Sequence, residues 1–260
     1  MKKLLLALFI SIFFSKAHSK SSYTIETLVR SFPIGAFAKY SFGKSYLFWG
    51  DKKNKKDITY GFIRPEVEFR TSGLVNYAGA KAYVYPLPIV GLFAGSEIGK
   101  RGLDTLDTFD CEKVHCKGVM RRNLYGFRAA VAYKKWFFTT EYRKSNLEFS
   151  KTSLPYVDEM TTLLGNGDDQ SIVELYVSGY NFGDHQIGAI FLKNKMKNNK
   201  TSSTMTSLLH QYNKLPFSFG EKLSSSLISS VGVFKTRNEQ EVITFLFQLK
   251  INSLREFLLF

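Results

Sequence analysis

The stretch that most constrains this chain runs from Asn123 to Leu147, where polarity changes residue by residue. Tyr125, Phe127, Ala129, Val131 and Tyr133 share one parity, and Gly126, Arg128, Ala130 and Ala132 share the other. Lys134-Lys135 interrupts the run. It resumes with Trp136, Phe138, Thr140 and Tyr142 set against Thr139, Glu141, Arg143 and Ser145. Successive side chains on a strand point to opposite faces, so this period of two predicts two long strands joined by a tight turn. One face is apolar with aromatics at its ends, and the other is charged. In water the apolar face must be core. In a bilayer the apolar face meets lipid, aromatics sit at both interfaces, and the charged face lines a lumen.

The same alternation recurs along the chain, and helical periodicity is weak. Ile63, Pro65, Val67 and Phe69 oppose Arg64, Glu66, Glu68 and Arg70. Ala78, Ala80, Ala82 and Val84 oppose Tyr77, Lys81, Tyr83 and Tyr85, and Leu92, Ala94 and Ile98 oppose Phe93 and Glu97. Val173, Leu175 and Val177 oppose Glu174, Tyr176 and Tyr180, which assigns Glu174 and the two tyrosines to the charged face. Ile243 to Ile251 opposes Thr244 to Lys250, and Thr204–Tyr212 is a weaker strand candidate. About twelve candidates emerge, with 10–12 as the expected range, most of them 9 to 13 residues long. Strands in water-soluble proteins have a mode of roughly five or six residues. A tilted membrane strand needs roughly 9–11.

Loop lengths give a second test. With Tyr23–Arg30 counted as the first strand, the tight reversals at 86–88, 134–135 and 183–184 fall on one side. The long polar connections at 100–122, 149–169 and 193–203 fall on the other. Short turns on one side and long loops on the other are the habit of membrane barrels. The lysine-rich 51–57 and the 213–222 segment run against this trend.

Residues 1–19 have the three parts of a cleaved export signal: Met1-Lys2-Lys3, the apolar Leu4–Phe14, and a small-residue exit at Ala17 and Ser19. The apolar run is 11 residues long, short of the roughly 18 of a spanning helix. Residues 20–260 then form a single domain. The formal charge is +14, and +11 once Lys2, Lys3 and Lys16 leave with the signal. Export argues against a nucleic-acid partner. The clumped lysines read as solvated loops, or as contacts with anionic head groups. Cys111 and Cys116 have only His115 as a nearby metal ligand, so in an exported chain they are expected to form a disulfide and no metal site.

With its signal, its amphipathic strands and its final Leu258-Leu259-Phe260, the chain resembles the bacterial outer-membrane β-barrel proteins over essentially its whole mature length. The resemblance implies an all-β, antiparallel, up-and-down transmembrane β-barrel in the outer membrane of a Gram-negative bacterium. It also implies outer-membrane lipids as partners and a barrel-assembly machinery that reads Phe260. Glu256 breaks the alternation counted back from Phe260, so the last clean strand ends near Ile251. Tyr125, Tyr133, Trp136 and Tyr142 are expected at the lipid interfaces. Arg64, Glu66, Glu68, Arg70, Lys81, Glu97, Arg128, Glu141, Arg143 and Glu174, with Lys39 and Lys250, are expected in the lumen.

Two roles fit such a lumen. An ion-pair network stiffens or plugs the barrel, because narrow barrels have filled interiors. Alternatively the charges tune a small-solute or ion channel. A lipid-acting barrel enzyme of the phospholipase or lipid A deacylase type needs a base beside its nucleophile. The Asn-His-x-Ser pattern of the barrel phospholipases is absent. His210 and Ser207, three residues apart on a strand, face opposite ways. Asp104, Asp107 and Asp110, like Asp168-Asp169, read as solvated loop acids. No cofactor fingerprint is visible, so no catalytic, metal or cofactor residues are expected. A soluble, secreted β-barrel binding protein is the remaining alternative. The oligomeric state is left open.

Overall fold

The computed structural model describes residues 19–50, 59–102, 109–150, 154–158, 161–215 and 223–253. The expected signal peptide up to residue 18, Asp104, Asp107, Glu256 and Phe260 lie outside the described residues.

The strands are β1 (Ser19–Arg30), β2 (Gly35–Trp49), β3 (Gly61–Thr71), β4 (Val75–Leu87), β5 (Val90–Gly102), β6 (Lys117–Tyr133) and β7 (Trp136–Phe149), followed by the short β8 (Tyr156–Asp158) and β9 (Leu163–Gly165). Then come β10 (Asp169–Phe182), β11 (His185–Met196), β12 (Thr201–Tyr212), β13 (Leu223–Lys235) and β14 (Glu241–Ser253). Twelve of them close into one barrel in which every neighbour is antiparallel and β14 pairs with β1. Only β8 and β9 stand apart, as a two-stranded hairpin. Closure removes the sheet edges, whose unpaired amides and carbonyls would otherwise need partners. This is the all-β, twelve-strand antiparallel barrel that the alternation predicts.

Parity sorts the side chains in the barrel wall. Phe42, Val67, Phe69, Leu92, Phe127, Val131, Phe138, Leu208, Phe245 and Phe247 are exposed on the outer face. Arg64, Glu68, Tyr77, Tyr83, Phe93, Glu97 and Arg122 are buried on the inner face. The inward rings of Tyr77 and Tyr85 lie over glycines on the neighbouring strand. A Cβ on Gly99 would run into the Tyr77 ring, and one on Gly91 into the Tyr85 ring. The two glycines therefore make room for large rings inside a narrow barrel.

Chain order places the connections after β1, β3, β5, β7, β11 and β13 at one rim, here the loop rim. The tight turns after β4, β6 and β10 lie at the opposite rim, here the turn rim, where β2 and β12 also end. Two expected loops are corrected. The segment 193–203 is mostly strand: β11 runs to Met196 and β12 starts at Thr201, leaving a turn over 197–200. Lys193 and Lys195 continue the outward parity of β11, so their charge marks a strand end and not a loop. The polar connection 149–169 contains the β8–β9 hairpin, whose Tyr156, Val157 and Leu163 are fully buried.

Cys111 and Cys116 form the expected disulfide. Its loop packs Val114 and Cys116 against Val157 of the hairpin. Closing so short a loop limits the unfolded chain by roughly 2 kcal/mol. The double variant Cys111→Ser/Cys116→Ser is expected to loosen this cap and leave the barrel closed. Hydrogen exchange should then rise in 109–116 and 154–165 but not in β3 to β5. A rise throughout the barrel would contradict this.

Candidate functional site: the lumen

Antiparallel register fixes which side chains share the lumen, because directly paired residues point the same way. The central network lies on β3, β4 and β5. Lys81 Nζ is 2.8 Å from Glu68 and 3.0 Å from Glu97, and Arg70 approaches Glu97 at 3.8 Å. Arg64 is 3.0 Å from Glu66 and donates to the Ser22 hydroxyl at 2.8 Å. Further round the wall, Lys39 and Lys250 share Glu26 at 3.1 and 3.9 Å. Arg128 and Arg143 share Glu141 at 3.2 and 4.0 Å. Desolvated charges need such partners.

Glu174 is a correction. β10 pairs Leu175 with Glu141 and Glu174 with Tyr142, so Leu175 faces the lumen and Glu174 faces out. Glu174 meets Lys195 at 3.2 Å on the outer surface, where both side chains keep part of their exposure. Tyr176 and Tyr180 turn outward with it, and Val173, Leu175 and Val177 turn inward. A single charge does not fix the face of a strand that is apolar on both sides, and pairing with β7 decides it. The other expected lumen residues, Arg64, Glu66, Glu68, Arg70, Lys81, Glu97, Arg128, Glu141 and Arg143, have inward parity. Tyr125, Tyr133, Trp136 and Tyr142 have outward parity, with Tyr133 and Trp136 beside the turn at Lys134-Lys135.

The β8–β9 hairpin packs inside the loop rim, held by residues from segments expected to be loop. Arg101 donates to the carbonyl oxygens of Val157 at 2.6 Å and Cys116 at 3.0 Å. Arg122 binds Asp158 at 2.7 Å and donates to the Tyr77 hydroxyl at 3.1 Å. Across the lumen, the Ser203 hydroxyl donates to Thr161 O at 3.0 Å and Asn199 donates to Leu164 O at 2.6 Å. Met120, Leu147, Phe149 and Met196 pack around Tyr156 and Leu163. Burial, reinforced by Asp169 and Asp158, pushes the Tyr156 phenol above its ordinary value. The parity of Arg122 with Leu124 and Arg128, and of Arg101 with Glu97, was the sequence signal for both arginines.

His185 Nδ1 and His210 Nε2 are 3.1 Å apart, on the outer face beside Tyr212. Ser207 is buried on the inner face, so no Ser–His pair forms there. Among the described residues no group of three His, Cys, Asp or Glu side chains is placed to hold a metal ion.

No protein-family model matches the chain, and no curated protein matches it. Solved barrels are similar in outline. One is described as KdgM porin, at 7% identity and a TM-score of 0.46, covering 90% of this chain and 99% of that one. The translocator domain of the autotransporter NalP from Neisseria meningitidis has 9% identity and a TM-score of 0.44, with 98% and 95% coverage. An anion-selective porin from Comamonas acidovorans has 7% identity and a TM-score of 0.39, with 92% and 99% coverage.

Proposed function

We propose that this chain is an integral outer-membrane barrel whose lumen holds or passes small solutes, with the loop rim closed at rest by the β8–β9 hairpin. The observation that carries this reading is the outer face. Large apolar side chains are exposed around the wall, from Val29 at 55% and Phe69 at 48% to Leu208 at 67% and Phe245 at 47%. A soluble monomer rarely exposes a continuous apolar patch of more than a few hundred Å². A closed barrel whose strands leave no free edge satisfies its backbone in lipid. The charged interior, which a soluble barrel would reserve for its apolar core, supports the same reading. Outer-membrane lipids are its surroundings, and barrel-assembly machinery that reads Phe260 is its route there.

Two measurements test this. After membrane fractionation the protein is expected in the outer membrane, migrating faster on a gel when unheated than when boiled. Recovery as a soluble periplasmic protein would sink the reading. In planar bilayers the intact barrel is expected to show low conductance with brief openings. A permanently silent barrel, in wild type and hairpin variants alike, would reduce the role to a structural one.

A further inference from the structure

We propose that the seam between the two walls of this lumen is a binding site for a small amphipathic carboxylate, an anionic head on an aliphatic or aromatic body. The proposal deepens the solute-holding role above and rests on it. The lumen is chemically divided. Its inward charges lie on β1 to β7 and on β14, and cations outnumber acids there. Beyond Asp169, the inward positions of β10, β11, β12 and β13 carry no charge. Val173, Leu175, Val177, Ile190, Leu192 and Ile228 face in from this wall. Apolar side chains lining a solvated lumen gain nothing from water, and they favour a ligand with an apolar body.

The two walls meet at β7 and β10, where Glu141 pairs directly with Leu175. A cavity of about 230 Å³ opens at this seam near the turn rim, bordered by Tyr85, Ile89, Arg128, Thr139, Glu141 and Leu175. Two arginines share the single carboxylate of Glu141 here, at 3.2 Å and 4.0 Å, leaving an excess positive charge. The wall opposite supplies no acid to balance it. Arg128 Nε is buried without a hydrogen-bond partner. The Arg128 guanidinium lies over Tyr83 at 4.7 Å and Phe93 at 5.5 Å, which hold its plane in place. A planar guanidinium with a spare donor is suited to a carboxylate. Leu175 and Val177 offer the adjoining apolar surface to the rest of the ligand.

The test uses the full chain, purified in detergent, and three probes in equilibrium dialysis: benzoate, its neutral analogue benzamide, and acetate. Benzoate is expected to bind saturably, about tenfold more tightly than either of the others, because it alone uses both parts of the seam. Arg128→Gln is expected to weaken benzoate about tenfold and leave benzamide unchanged, since it removes one charge-assisted contact. Leu175→Asn should weaken benzoate and benzamide together and spare acetate. Heat-modifiable migration checks each variant for folding. If Arg128→Gln does not fold, Arg128→Lys, which keeps the charge but loses the fork, and Leu175→Asn decide. No saturable benzoate binding to the wild type, or affinities unmoved by both substitutions, would overturn the proposal. Benzoate binding without any conductance would leave the site intact and remove the channel role. Conductance without benzoate binding would do the reverse.

Discussion

Replacing Asp158 by alanine is expected to open the loop rim. Asp158 and Arg122 face each other at 2.7 Å, with side chains 5% and 10% exposed. Removing one partner of a buried pair takes the nearest counter-charge from the other, at a cost of roughly 3–5 kcal/mol. Much of that cost is relieved if the hairpin leaves and water reaches Arg122. Ser203, Asn199 and Arg101 hold the hairpin through its backbone carbonyls, which the substitution leaves in place. A change of this size moves a closed-to-open ratio by about a hundredfold or more. Single-channel recordings should therefore show long open events in Asp158→Ala, and the 154–165 segment should become protease-sensitive. The double variant Arg122→Met/Asp158→Leu removes both charges and replaces them with apolar volume, so it is expected to stay closed. Wild-type recordings from Asp158→Ala would show that the ion pair does not hold the hairpin.

The second large effect separates the two faces of one strand. Phe247 is the central residue of β14, points outward and is 54% exposed, and Gln248 beside it points inward. An arginine on the lipid face at the bilayer midplane costs roughly 2–4 kcal/mol. Phe247→Arg is expected to lose about that much stability in urea titrations of barrels folded into vesicles. Gln248→Arg should lose far less, because the lumen can hydrate it. Equal losses in the two variants would mean that the outer face does not meet lipid.

Much of the architecture was legible residue by residue. The hairpin from Tyr125 to Tyr142 shows its two faces in its alternation, and register confirms them pair by pair from Tyr133–Trp136 onward. The inward rings of Tyr77 and Tyr85 find room over Gly99 and Gly91 on the next strand, a pattern also present in the sequence. Legibility ends where a strand carries apolar residues on both faces. β10 has Val173, Leu175 and Val177 on one side, and Ile172 and Tyr176 on the other. Either face suits lipid, and only pairing with β7 selects one. That selection turned Glu174 outward and set Val173, Leu175 and Val177 inside the barrel.

The β8–β9 hairpin was hidden for a different reason. Its strands are three residues each, too short to show a period, and they sit among polar loop residues. The hairpin is ordered by what surrounds it: the cysteine loop on one side and Met120, Leu147, Phe149 and Met196 on the other.

The sequence alone determined that this chain builds long amphipathic strands, because period two is local and each residue's parity is set by its neighbours. It also determined the antiparallel order and the side on which the short turns fall. The tertiary structure decided how the barrel closes, which face of β10 turns inward, and that Arg122 and Asp158, 36 residues apart, meet in the mouth. Those outcomes depend on register between strands far apart in the chain and on space inside a closed ring, and neither is present in any single segment.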